Sequence, residues 1–585
     1  MRAILDPRRT FVLSLLAVVG AACGNNRPPA DVQVLPDAPG DAVDDLASDA
    51  GTGLDTADVV DDRAMCSPRL PVDDVRTIPS RDPTGCIFRD ATVDVLPTWT
   101  PPPGADAGST EAGPAVLGPG GPSVTFRPDQ LTQNCAYLHG GPTDRNHHNA
   151  AFMHAGYLIM PWAHEATPGG ISVWEFNDPC RPVHVATVTD PRMRETHATG
   201  FSFIGGRWMV VASTDGIVFW DISDFRNMRR VSELILPNTC FPDSYRRVVM
   251  GTFWQAPYVY VGTADNGVFV VDASDPRNPR IVNQYVVGNS VGLLYAIGNN
   301  LYIVNSEGST QHILDISDPA VPRPIPGGRF EVHNGRMIAP GYFLVLPAYS
   351  GTYNGNRGYF TRHTVGAGLF IFDVANPSMP RFLGQWEHPT GRADSGEGPS
   401  GGYVYVQNDL AFAGFSSDFV VFDIADPTHP TPISTLRSQG DDDTIVPMGN
   451  VVLLSVDDGS VPGQATSVVP FREQPDRRAP AVNMIVPRDA ATDQALTSRV
   501  GVTFDEFVDV QTLDRTTFIV REVGSSIPLE GYYSGQENAV NFWPAQPLRP
   551  GATYEVIVPA GGVRDASGNA TSTTFRSTFR ASECR

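Results

Sequence analysis

The stretch GVFVVDASDPRNPRIV, residues 267–282, decides the fold. A run of β-branched and aromatic residues forms a strand, and the acidic turn at Asp272 to Pro276 stops it. Pro279 then opens a second strand, at an edge position where the missing N–H is tolerated. The same pattern returns in GIVFWDISDFRNMRRV (216–231), QHILDISDPAVPRPI (311–325), GLFIFDVANPSMPRFL (368–383) and DFVVFDIADPTHPTPI (418–433), with a variant, GISVWEFNDPCRPVHV (170–185), opening the series. The acid of each copy falls at Glu175, Asp221, Asp272, Asp315, Asp373 and Asp423, giving spacings of 46, 51, 43, 58 and 50 residues. Such a period is that of one four-stranded unit. Ahead of most copies stands a hairpin, as in FSFIGGRWMVVAS (201–213), LLYAIGNNLYIVNS (293–306), MIAPGYFLVLPAYS (337–350) and YVYVQNDLAFAGFS (403–416), with turn residues between two apolar runs. Seven hairpins, from 151–163 to 444–456, predict an all-β chain with a seven-bladed β-propeller over residues 145–472, closed radially so that sheet edges are protected. The last copy of the motif is degraded, near Thr466 to Phe471, as terminal repeats often are.

The recurring V-x-D-I-S-D-P…P pattern resembles the LVIVD repeat of bacterial and archaeal surface propellers. The resemblance implies the fold and leaves function open, because propellers host many activities. After Arg477 the register changes to short alternating strands at sandwich spacing. VTFDEFVD (502–509), Pro544, LRPGATYEV (548–556) and VRDASGN (563–569) resemble the SbsA-type bacterial immunoglobulin-like domain, which sets a second domain at 478–582. The resemblance implies a surface spacer or adhesive module. Asp565 and Asn569 in the RDASGN turn read as a strand connection in preference to a calcium loop.

The first residues read as an export signal: Arg2, Arg8 and Arg9 precede a short apolar run, Phe11 to Val19, and then Gly20, Ala21, Ala22 and Cys23. The small-small-Cys ending resembles a bacterial lipobox, with Gly20 where Leu or Val is usual. It implies lipidation of Cys23 and attachment to the outer membrane or cell surface, the periplasmic face included. Residues 24–65 are acidic, rich in Ala, Gly and Pro, and too poor in apolar side chains to offset their chain entropy, which predicts a disordered tether. Residues 66–144 form an irregular lead-in segment. Six cysteines remain after Cys23, enough for three disulfides in an oxidising compartment, with Cys66–Cys86 the favoured pair. A formal charge of −22, with 42 arginines supplying every basic residue, argues against nucleic-acid binding, which draws on a basic surface. No apolar run of 18 residues follows residue 30, so no later membrane-spanning helix is expected.

Aligning the first strands of the blades puts His148, His197 and His333 four residues before Phe152, Phe201 and Met337. Ser290 takes that slot in another blade and Asp442 lies near it in the last. Such residues would meet at one mouth of the central channel. Two readings follow: a polar, hydrogen-bonded channel mouth, or a transition-metal site for Zn, Cu or Fe with the three histidines as ligands. The segment YSGTYNGNRGYFTRHTV (349–365) reads as a long loop on the same face, whose Tyr353, Arg357 and Tyr359 would suit a peptide or glycan. No P-loop, GxSxG elbow, HExxH or dinucleotide fingerprint occurs, and no catalytic residue is assigned. The expectation is a monomeric lipid-anchored scaffold that binds a cell-surface protein or glycan. A metal-dependent, oxidoreductase-like enzyme is the alternative.

Overall fold

The structure is a computed structural model that describes residues 120–140, 151–163, 169–193, 199–202, 207–213, 215–239, 248–288, 290–306, 308–362, 368–389, 401–415, 418–437, 441–458 and 461–583. Cys23, the acidic tether, and the Cys66–Cys86 pair lie outside these residues.

In blades one to six each repeat folds as four antiparallel strands adjacent in chain order. Blade one comprises Phe152–His154, Tyr157–Trp162, Gly169–Glu175 and Val183–Asp190, and blade two Thr199–Ser202, Trp208–Ser213, Gly216–Asp221 and Arg229–Ile235. Blade three runs from Gly251–Gln255 to Arg280–Tyr285, blade four from Val291–Ile297 to Arg323–Glu331, and blade six from Gly401–Gln407 to Thr431–Arg437. The third strands are buried on both faces while the outer strands are partly exposed, as stacked blades require.

The repeated acid is a turn device. Oδ1 of Asp221, Asp272, Asp315, Asp373 and Asp423 each accepts the N–H two residues on, at 2.7 to 3.0 Å. The next Asp or Asn repeats the bond, from Arg226 to Asp224, Arg277 to Asp275 and Ser378 to Asn376. Two successive side-chain turns of this kind end the third strand in blade after blade. In each of these blades the pairing of third with fourth strand slips just ahead of the acid, for example at Phe219/Trp220 and Phe372. Such bulges add twist where the outer strand must bend away.

Two elements differ from the sequence expectation. Blade seven takes Asp441–Met448, Val451–Asp458 and Thr466–Pro470 from the end of the repeat region. Its outer strand is Ala136–Leu138, upstream of the 145 boundary, with Ala136 opposite Val468. The last motif looks degraded because its fourth strand is supplied from the other end of the ring. Cys135, beside that strand, is disulfide-bonded to Cys180 in the turn of blade one, which ties the closing strand to its neighbour.

In blade five the first hairpin is Ala348–Asn354 with Arg357–Arg362, not residues 337–350. The more apolar run, His333–Ala339 paired with Tyr342–Val345, is an additional two-stranded hairpin inserted between blades four and five. Asn354–Gly355, with φ +58° at the glycine, makes the tight turn of the true blade hairpin.

Residues 482–581 form two four-stranded sheets. One comprises Val482–Val486, Val500–Phe504, Ala539–Pro544 and Gly531–Gln536, and the other Ala491–Gln494, Phe575–Ala581, Thr553–Val558 and Ile519–Glu522. The first continues directly into blade two, Gly535 lying opposite Phe201. Their cores merge as well: Phe504, Phe518 and Phe542 of the sandwich belong to one buried cluster with Ile159, Met209 and Trp220 of the propeller.

Candidate functional site

Antiparallel alternation puts the turn between first and second strands of every blade on one face of the ring. The segments leading into the first strands emerge on the other. The immunoglobulin-like domain occupies the first face. Asp509 accepts the Ala155 and Gly156 N–H groups of blade one at 3.0 and 3.1 Å, and burial pushes its carboxyl up to about 6. Ser534 Oγ accepts Ala256 N–H of blade three at 3.0 Å. Asn541 bridges two blades: its Nδ2 donates to Ala296 O at 2.8 Å, while its Oδ1 accepts Gly298 N–H at 2.8 Å and Gln255 Nε2 at 3.1 Å. Asn483 Nδ2 donates to Asn354 Oδ1 of blade five at 2.6 Å, and Asn408 N–H of blade six donates to Asp505 O at 2.7 Å. Contact is so close that a Cβ on Gly501 would fall 2.1 Å from the Gly298 nitrogen.

The domain also fills the channel mouth. Glu537, at the turn between Gly531–Gln536 and Ala539–Pro544, is buried, and desolvation raises its carboxyl to about 8, partly offset by a hydrogen bond with Tyr295 of blade four. Phe507 meets the ring of Tyr405 of blade six edge-on at 5.6 Å. A cavity of about 10 Å³ remains among Phe152, Met153, Phe507 and Glu537, about the space of one water. Among the described residues this face is a closely packed interface, with room at that seam for about one water.

The described residues among those singled out from the sequence do not gather on the other face. His148 and His197 lie outside the described residues. Ser290 is half-buried immediately before the first strand of blade four, and Asp442 lies in the first strand of blade seven opposite Val456. His333 begins the inserted hairpin, its ring stacked on Phe343 at 4.3 Å and flanked by Phe382 and Phe372 at 5.0 and 5.3 Å. Its Nδ1 accepts Gly335 N–H at 3.0 Å, and burial holds the imidazole below its ordinary range. The alignment slipped because two hairpins stand in tandem here and the more apolar one was taken for the blade. His333 is therefore an aromatic-packed hairpin residue and not a member of a channel-mouth metal set.

Residues 349–365 need the same correction. Tyr353 and Tyr359 are strand residues, almost wholly buried, Tyr353 packing on Tyr302 at 4.6 Å. Arg357 opens the second strand of blade five opposite Asp373, on the side of the immunoglobulin-like domain. None of the three is presented on the open face. The Asn-Gly turn was the signal that could have identified this stretch as a hairpin.

What the open face does present is the inserted hairpin. It leaves between Val332 and Leu346, whose N–H donates to Val332 O, and leans toward the outer strand of blade five, where Gly335 approaches Phe382. Tyr342 is 70% exposed and Ile338 62%, with Met337 and Phe343 beside them. Clustered exposure of large apolar side chains marks contact surfaces.

The family described as LVIVD repeat matches residues 257–287, 364–387 and 400–436, and the one described as bacterial Ig-like domain matches 476–581. The chain is an LVIVD-repeat β-propeller carrying a bacterial Ig-like domain. No curated protein matches it. Among solved structures, the computationally designed Ika8 protein is 12% identical, with 70% of this chain and 99% of that one covered at a TM-score of 0.38. The Myceliophteria thermophila Cps50 (Swd1) β-propeller domain is 12% identical over 57% and 98%, at 0.42. The RRP9 WD40 repeats are 13% identical over 60% and 97%, at 0.39. At these scores the likenesses carry no functional information. The LVIVD matches fall in blades three, five and six, each of which carries the acid and an Asp-Pro or Asn-Pro turn.

Proposed function

We propose that the chain is an exported, lipid-anchored interaction scaffold whose open propeller face binds a partner protein at the cell surface. Its Ig-like domain is a built-in cap for the opposite face. The observation that carries this reading is the hairpin of residues 333–345, which springs from Val332 and Leu346, lies along the outer strand of blade five and exposes Met337, Ile338, Tyr342 and Phe343. Apolar and aromatic side chains of this kind favour a protein partner over a glycan, since they supply the desolvated centre of an interface. The Cys135–Cys180 disulfide supports an oxidising, exported location, in keeping with the signal-like start and Cys23. Ser290 and Asp442 complete the candidate binding set with His148 and His197.

The test places a photo-crosslinking residue at Tyr342 in the full chain on intact source cells. A discrete protein adduct is expected, and the double substitution Met337→Asp, Ile338→Asp should abolish it while leaving thermal unfolding unchanged. No adduct above background, or equal crosslinking from the exposed outer-strand position Ile433 of blade six, would overturn the proposal.

A further inference from the structure

Where the linker leaves blade seven and the Ig-like domain meets blade six, three carboxylates from separate parts of the chain converge. Asp476 belongs to the linker, Glu506 to the DEFVD segment that follows Val500–Phe504, and Asp565 to the RDASGN turn. One oxygen from each lies within 4.8 Å of the others. Asp476 is tied to the propeller, its Oδ2 accepting Gln407 Nε2 of blade six at 2.7 Å. Asp565 is held by its own turn, Oδ1 accepting Ser567 N–H and Asn569 N–H at 2.8 Å and Oδ2 accepting Asn569 Nδ2 at 2.8 Å.

Glu506 supplies a second, independent observation. It is only 3% exposed, and its Oε1 has no hydrogen-bond partner. A buried carboxylate oxygen left unpaired beside two anions is costly unless a cation completes it. The surrounding arginines do not. Arg478 pairs with Asp409 and Asp505 and reaches Glu506 only through a longer-range attraction, Arg564 donates to Gly568 O, and Arg472 lies over the Phe471 ring, likewise reaching Asp476 only at longer range.

We propose that Asp476, Glu506 and Asp565 bind one hard divalent cation, calcium in preference to magnesium, that clamps the linker and the Ig-like domain onto blade six. The donor set is all oxygen, with no histidine or cysteine, which selects calcium, magnesium or manganese over zinc or copper. Oxygens bound to calcium at about 2.3–2.6 Å stand no more than about 5 Å apart, and a cluster within 4.8 Å fits inside that span. Calcium also accepts irregular ligands from loops, as these are. The RDASGN segment is thus a strand connection, as its sequence suggests, and its aspartate has a second use.

Burial and the neighbouring carboxylates raise both Glu506 and Asp565 from their ordinary range. Calorimetric titration of the full chain with calcium near neutral pH should give one cation bound. The melting temperature should rise by several degrees between EDTA and about 1 mM calcium. Glu506→Gln, which keeps the shape and a neutral hydrogen-bonding group, should remove the calcium response. So should Asp565→Asn, which provides a second variant should either fold poorly. The proposal is overturned if the unsubstituted chain shows neither heat nor a melting shift with millimolar calcium, magnesium or manganese. Undiminished calcium affinity in a folded Glu506→Gln chain would overturn it equally.

Discussion

Replacing Asn541 with alanine tests whether the Ig-like domain is part of the propeller or a module hung beside it. The side chain is 1% exposed and makes three hydrogen bonds, to Ala296 O, Gly298 N–H and Gln255 Nε2, thereby joining blades three and four to the sandwich. Each such bond contributes about 0.5–1.5 kcal/mol net, so losing three costs roughly 2–4 kcal/mol, and the partners left unpaired in a dry interface push the cost toward the upper end. The assay is denaturant unfolding of the full chain, combined with hydrogen exchange at the Gly298 amide. The unsubstituted protein should unfold its sandwich together with blades one to four, because the sheet and the core are shared. Asn541→Ala should lower the transition by that amount and speed Gly298 exchange by roughly thirty-fold or more, from the usual 1.4 kcal/mol per decade. The reasoning fails if the stability change is below about 0.5 kcal/mol with Gly298 protection intact. A separate sandwich transition in the unsubstituted chain would refute it as directly.

Ring closure should depend on the Cys135–Cys180 bond, which spans a sequence separation of 45 residues. Chain-entropy arguments set its contribution at about 4 kcal/mol at most, so Cys135→Ser with Cys180→Ser should lower stability in urea by 2–4 kcal/mol; a loss under 1 kcal/mol would mean that strand pairing alone closes the ring. His312, in the third strand of blade four, is held down to about 4 by burial and by Arg329, against about 6.5 in the unfolded chain. Between those values the unfolded state binds the extra proton, so stability falls as pH drops from about 6.5 toward 4, by roughly 3 kcal/mol from this residue. His312→Gln should flatten that part of the stability profile relative to the unsubstituted chain, and parallel profiles would refute the assignment.

Much of the architecture was legible residue by residue. A strand of alternating or fully buried apolar residues, ended by an acid that accepts the N–H two positions on, is a local device, and local devices repeat visibly in sequence. The copies therefore revealed the blades, and the change of register after Arg477 revealed the sandwich. Blade five misled because hydrophobicity was weighed above turn chemistry: the glycine- and asparagine-rich 348–362 hairpin is the structural one, and the more apolar 333–345 hairpin projects from the ring. His333, Tyr353, Arg357 and Tyr359 were misplaced together for that single reason.

By itself, then, the sequence determined the strand repeat, the number of blades and the Ig-like module, since each depends on contacts between near neighbours in the chain. Tertiary structure alone decided that Ala136–Leu138 closes the last blade, that the Ig-like domain packs over the strand-turn face of the ring, and that Asp476, Glu506 and Asp565 converge. Those pairings join residues tens to hundreds of positions apart. No periodicity records them, because they follow from how rigid sheets pack once formed.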